Sequence, residues 1–183
     1  LQGLKLKQPK LKYYIFLNQE IELNIHREKL SKAISDNINK AYWDILKSDM
    51  LKVPPDYSKV ISLLEECCLL LKQCTPNRVD LIQEIDNIIE IDTLKHYIEN
   101  DVDVHGFLNQ IIFFVFTKIE EYQSQNDKTS FEKFKSDFET LRQQTNIKLS
   151  EVLIYFFQGI MPRLHFILER KHSFEEFLNK NKN

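Results

Sequence analysis

Residues 104–122 read VHGFLNQIIFFVFTKIEEY, with Phe107, Leu108, Ile111, Ile112, Phe113, Phe114, Val115, Phe116 and Ile119 in one helical stretch. At 100° per residue these side chains point to nearly every side of the axis. A helix of that kind belongs in the middle of a bundle. Asn109, Gln110, Thr117 and Lys118 interrupt the run, so it falls short of the 18 apolar residues a membrane span needs. Asp103 stands where a helix N-cap belongs.

Working upstream, residues 28–50 are expected to form a long helix. Leu30, Ile34, Ile38, Ala41 and Ile45 recur every three or four positions and fall within a sector about 80° wide. Trp43, Leu46 and Met50 lie on the other side. Trp43 is therefore expected either inside the bundle or offered to a partner. Pro54-Pro55 ends this helix, because a residue before proline is pushed out of helical backbone. Asp56 reads as the cap of a helix from Tyr57 to Cys74, whose core face is Tyr57, Val60, Leu63, Leu64, Cys67, Cys68 and Leu71. Thr75-Pro76 reads as the next start signal, with Thr75 as cap and Pro76 at the first position of a helix whose apolar pattern of Val79, Ile82, Ile85, Ile88 and Ile89 runs to about Glu90, and Asp92 reads as the cap of a short one.

Downstream, residues 124–129 are polar and read as a loop. Ser130 starts a helix with Phe131, Phe134, Phe138 and Leu141 on one stripe. A further helix spans residues 148–171, with Pro162 expected to kink or break it near Gly159. Ser173 reads as the cap of a last turn bearing Phe174, Phe177 and Leu178. The expected fold is all-α: a single multi-helix bundle of about seven to nine helices around the fully apolar helix. Residues 1–12 form a basic N-terminal arm, and residues 13–183 one helical domain.

The composition narrows the function. With 25 Lys and Arg against 27 Asp and Glu, the net charge is −2, which disfavours a nucleic-acid partner. Three glycines leave no room for a phosphate-cradling loop, and the common hydrolase, nucleotide and zinc-protease motifs are absent. No catalytic residue, cofactor or metal is expected. The best metal-like cluster, Asp101, Asp103 and His105, is explained by helix capping. Cys67, Cys68 and Cys74 crowd one helix and suit reduced thiols in a cytoplasmic protein. Lys5, Lys7, Lys10 and Lys12 form a short basic run that fits contact with an anionic membrane surface, worth about 1 kcal/mol per lysine. Tyr155 and Phe166 face away from the main apolar stripe of their helix and, with Trp43, are the candidate contacts for a protein partner. No site in the sequence fixes an oligomeric state.

Three stretches carry a resemblance. Ala41-Tyr42-Trp43-Asp44-Ile45-Leu46, Pro54-Pro55-Asp56-Tyr57 and Leu63-Leu64-Glu65-Glu66, followed by Pro76, Arg78, Glu84-Ile85 and Ile91-Asp92, resemble the T-complex protein 11 family. A weaker echo is Pro162-Arg163-Leu164 with Glu169-Arg170-Lys171 and Phe174. After the central helix the chain departs from the family, reading Lys118-Ile119-Glu120-Glu121. The resemblance implies an all-helical, non-enzymatic regulator tied to cyclic-AMP and protein kinase A signalling. It also leaves room for a secreted bacterial effector with a host-like domain, acting in the host cytosol.

Overall fold

The structure, a computed structural model, describes the backbone of residues 8–181 and the side chains of residues 21–181. The described residues form seven α-helices, α1 (Gln8–Met50), α2 (Ser58–Cys74), α3 (Val79–Ile88), α4 (Ile91–Glu99), α5 (Val104–Tyr122), α6 (Lys128–Arg142) and α7 (Leu149–Lys180). A single 3-10 turn, Gln125–Asp127, leads into α6, and there is no strand among the described residues.

The fold is all-α, but it is not one bundle. Backbone contacts divide the chain into residues 1–45 and residues 46–183. In the first unit, no side chain between residues 21 and 41 is buried. The apolar stripe of Leu30, Ile34, Ile38 and Ile45 lies open to solvent. The periodicity that makes α1 a helix is therefore real, while the burial expected from it is absent within the monomer.

The second unit holds the core. Its most extensive pairing is α2 against α7. On α2 the buried face is Val60, Leu63, Leu64, Cys67, Leu70 and Leu71, and on α7 it includes Leu153, Phe156, Phe157, Ile160 and Leu164. Burying each such side chain fully stabilises by about 1.5–3 kcal/mol. The helix α5 packs against α3, α4 and α7 and buries Leu108, Ile111, Ile112, Val115, Phe116 and Ile119. It is not surrounded on every side: Gln110, Phe113, Thr117 and Glu120 form an exposed stripe at helical spacing. Here the sequence overstated burial, because Phe113 is apolar yet sits on the solvent face under the guanidinium of Arg142, 5.4 Å from its ring centre.

An aromatic cluster fastens α6 to this core. Phe116 meets Phe131, Phe134, Phe138 and Phe156 with ring centres 5.3–6.0 Å apart, mostly edge to face. Phe134 is held on three sides by α7. The Tyr155 ring stacks on it at 5.4 Å, and the Arg163 guanidinium lies 4.8 Å from its centre. Between them Gly159 presents bare backbone, and a Cβ built there would collide with the Phe134 ring.

Helix boundaries follow local chemistry. Asp103 caps α5 by accepting the Gly106 N–H at 2.9 Å. Asp56 accepts the N–H of Ser58 at 2.9 Å, which places it two residues before the first residue of α2. Thr75 closes α2 rather than opening α3: it precedes Pro76, leaves helical backbone, and its N–H bonds the Lys72 carbonyl. Asp92 lies inside the first turn of α4, after Glu90 at the cap. No break occurs at Gly159, and Ser173 caps nothing, because α7 runs unbroken past Pro162 to Lys180. Proline removes one N–H, whose carbonyl partner belongs to exposed Gln158, while Phe156, Phe157, Ile160 and Leu164 bury the turns on both sides.

Two buried charges bind helices together. Lys118 on α5 is 4% exposed and pairs with Glu84 of α3 at 2.8 Å and Glu121 at 3.1 Å. Burial works against its charge, but the two carboxylates outweigh it and raise its pKa. Asp49, at the end of α1, is also buried and pairs with Lys52 at 2.7 Å and Lys59 of α2 at 2.6 Å. Its carbonyl accepts the Asp56 N–H at 2.9 Å, so one residue anchors the whole proline loop. The hydrogen bonds from Lys52 and Lys59 hold the Asp49 carboxyl below its ordinary range.

A depressed carboxyl pKa stabilises the fold above the unfolded value, near 4, and that contribution disappears as pH falls through the folded value. Asp49→Asn is therefore expected to be less stable than the parent at pH 7, with the gap closing below about pH 4. Urea unfolding of both proteins at pH 7, 5 and 3 measures it; a gap independent of pH contradicts the assignment.

Candidate interaction site

The C-terminal half of α7 carries the most distinctive surface of residues 46–183. Phe166, Arg170, Phe174 and Phe177 lie within about 80° of one another around the helix axis. They span about 17 Å along it. Phe166 is 50% exposed, and Phe174 and Phe177 are each 61% exposed. From His172 to Lys180 no residue of α7 is buried.

Beside Phe166 lies a socket of about 200 Å³. Ile119, Pro162 and Ile167 contribute its apolar lining, and Asp127, Ser130 and Arg163 its polar edge. The polar groups are fixed. Arg163 donates to the Gly159 carbonyl at 2.8 Å and to the Ser130 hydroxyl at 3.3 Å. Asp127 accepts from Ser124 at 2.6 Å and from Arg170 at 2.7 Å. Burial lowers the Arg163 pKa from its ordinary value, leaving it a weakly hydrated cation on an aromatic pair. The Arg170 guanidinium sits 5.7 Å from the Phe166 ring centre. On the other side of Ile167 and Arg170 a wider groove of about 540 Å³ is lined by Cys74, Tyr122, Lys171 and Phe174.

This chemistry suits contact with another chain. The socket is smaller than the 300–1,000 Å³ of small-molecule sites and matches a single apolar side chain. Aromatic and arginine residues are the types that dominate binding energy at protein interfaces. The thiols are poorly suited to nucleophilic work, since burial pushes the pKa of Cys67, Cys68 and Cys74 upward and keeps them protonated. All three are free. Among the described residues no group of three or more His, Cys, Asp and Glu is placed to hold a metal ion. No helix among them is long and apolar enough to cross a membrane.

The candidates read from sequence are dispersed. Phe166 lies in the exposed row. Tyr155, 11 residues earlier on α7, is half-buried and covered by Phe134 of α6, so it supports the fold at that position. Trp43 belongs to the unit of residues 1–45, is half-exposed, and donates its indole N–H to Asn39 at 2.9 Å. Lys5 and Lys7 lie outside the described residues. Lys10 and Lys12 fall on the backbone of α1, but their side chains lie outside them. Arg163, Arg170 and Asp127 were not singled out for binding. The signal for Arg170 is the run Phe166, Arg170, Phe174 and Phe177 at steps of four, four and three, which the expected cap at Ser173 interrupts.

Tyr155 and Phe166 should therefore separate by stability. Tyr155→Ser uncovers Phe134 and is expected to cost about 2–4 kcal/mol. Phe166→Ser is expected to stay within about 0.5–1 kcal/mol of the parent. Equal losses in urea unfolding would mean that Phe166 is a core residue.

A sequence profile of the T-complex protein 11 family matches residues 14–115, more than half of the chain. The match covers most of α1, all of α2 to α4 and much of α5, and it stops short of the exposed row on α7. T-complex protein 11 homolog from Homo sapiens is 25% identical over 157 residues, which is 82% of this chain. The aligned region is 31% of the human protein, so the chain spans about a third of that relative. No solved structure matches the chain. With the all-helical architecture and the profile match in agreement, the chain belongs to the T-complex protein 11 family.

Proposed function

We propose that this chain is a non-enzymatic regulatory module that docks a protein partner on the exposed α7 row. The observation that carries the reading is the placement of Phe166, Phe174 and Phe177 on one open helical face with Arg170 between them. Such side chains bury large areas at a small entropy cost, because each aromatic has only two rotatable side-chain bonds. The complementary segment is an amphipathic helix that places one apolar side chain in the socket beside Phe166. A carboxylate on that segment would meet the outward N–H groups of Arg163 and Arg170. Family membership supports a regulatory role. We place the module in the cytoplasm and in cyclic-AMP and protein kinase A signalling, as the family resemblance implies.

The test is quantitative capture from eukaryotic cytosol with the parent and a Phe166→Ser/Phe174→Ser variant as baits. The expected result is a partner enriched near stoichiometry by the parent and reduced at least tenfold by the variant, with urea midpoints unchanged. Equal capture by both baits, or none by the parent, overturns the docking face. Adding the chain to the same extract should change cyclic-AMP-stimulated kinase activity; no change overturns the signalling assignment.

A further inference from the structure

Arg163 carries a charge that the fold does not answer. Its acceptors are all neutral: the Gly159 carbonyl at 2.8 Å, the Ser130 carbonyl at 3.4 Å and the Ser130 hydroxyl at 3.3 Å. It forms no ion pair among the described residues. Arg170, one further turn along the same face, is neutralised by Asp127 at 2.7 Å. The edge of the socket formed by Arg163, Arg170 and Asp127 therefore holds one positive charge in excess.

Ser130 is set apart in the same way. It is the exposed third residue of α6, and it lines the socket. The other bonded serine and threonine hydroxyls point elsewhere. Ser58 and Ser124 donate to the carboxylates of Asp56 and Asp127, at 2.5 Å and 2.6 Å. Ser62, Thr75, Thr117 and Thr140 donate back to helix carbonyls. Among the described residues, only Ser130 presents its hydroxyl to a guanidinium. A phosphate on Ser58 or Ser124 would sit against a carboxylate, whereas one on Ser130 would sit against the unanswered cation. We infer that Ser130 is a phosphorylation site whose phosphate is seated on Arg163 and closes the socket to the docking partner.

In the step, the Ser130 Oγ attacks the γ-phosphorus of ATP held by a protein kinase. The Oγ–P bond forms as the bond to the bridging oxygen breaks, ADP departs, and the hydroxyl proton passes to the kinase's carboxylate base. The new group brings about −1.5 to −2 charges at pH 7 and three acceptor oxygens. Its point of attachment already lies 3.3 Å from the guanidinium, so those oxygens reach the Arg163 N–H groups without movement of the backbone. Asp127 is the carboxylate of the socket lining and opposes the phosphate, but Arg170 holds it. Closure rests on the docking reading above: the partner's carboxylate finds Arg163 taken and a phosphate in its place.

The full chain is incubated with eukaryotic cytosol and ATP, and phosphate is located by mass spectrometry. Modification at Ser130, absent from Ser130→Ala, is expected; none at Ser130 overturns the inference. The full chain prepared with phosphoserine at position 130 then reports the seat. In phosphorus NMR its second pKa is expected at least about half a unit below the usual value near 6, because a neighbouring cation favours the dianion. Titration at the usual value overturns the seat. Arg163→Gln should restore the usual value, with the urea midpoint showing that the chain is folded, and a depressed value that survives the change overturns the assignment to Arg163. Asp127→Asn, which removes the opposing carboxylate, should lower the value further; no change contradicts the placement. The phosphorylated chain, used as bait, should capture the partner at least about tenfold less than the unmodified chain, since like charges then meet. Equal capture by the two overturns closure of the socket. If the unmodified bait captures nothing, the docking reading fails, while the mass and phosphorus spectra still decide the phosphate site.

Discussion

The Phe134 ring rests on the bare backbone of Gly159, and the arrangement of α6 on α7 depends on that contact. The ring is held by Tyr155 one turn before the glycine and Arg163 one turn after it. Through Phe116 it joins the cluster that ties both helices to α5. A glycine inside a helix ordinarily costs about 1 kcal/mol relative to alanine. Here that cost is offset by a close approach that no other residue permits. The consequence reaches the surface: Arg163, fixed over Phe134, reaches Ser130 and forms one edge of the socket beside Phe166. The proposed docking face is therefore an extension of the core.

The charged groups inside the fold play a similar positional role. Lys118 joins α3 to α5 through Glu84, and Asp49 joins the end of α1 to α2 through Lys59. Buried ion pairs add little net stability, because desolvation cancels much of their attraction. Their effect is to exclude alternative registers, since a slipped helix would leave a buried charge unpaired. Asp49 lies between the Ala41–Leu46 and Pro54–Tyr57 stretches that resemble the family, whereas Lys118 lies beyond the matched residues 14–115, where the chain departs from it.

Much of the fold was legible in the sequence because helical periodicity, proline and cap chemistry are local. The core face of α2 from Val60 to Leu71, the Asp103 cap and the Phe131–Phe134–Phe138 stripe all follow from residues within a turn or two of one another. Burial was less legible, because it depends on what comes to cover a face. Leu30, Ile34 and Ile38 have the pattern of a core helix and lie open in the monomer, and Phe113 shows the same ambiguity on α5. Pro162 was misleading for a related reason: its penalty depends on whether the freed carbonyl of Gln158 meets water or apolar side chains. Of the candidate contacts, the exposure of Phe166 was legible from its angle on the helix. Tyr155 has nearly the same angle, and only the position of α6 separates the two.

The account rests most heavily on the claim that Gly159 is required by the Phe134 ring. A double-mutant cycle on the full chain, with Gly159→Ala, Phe134→Leu and both together, measures that claim by urea unfolding. Overpacking predicts that Gly159→Ala costs the parent about 1–3 kcal/mol. In the Phe134→Leu background the same change should cost far less, or stabilise by up to about 1 kcal/mol as helix propensity dictates. The two backgrounds should thus differ by more than about 1 kcal/mol. Equal effects of Gly159→Ala in both would show that the ring does not need the glycine, and would contradict the account.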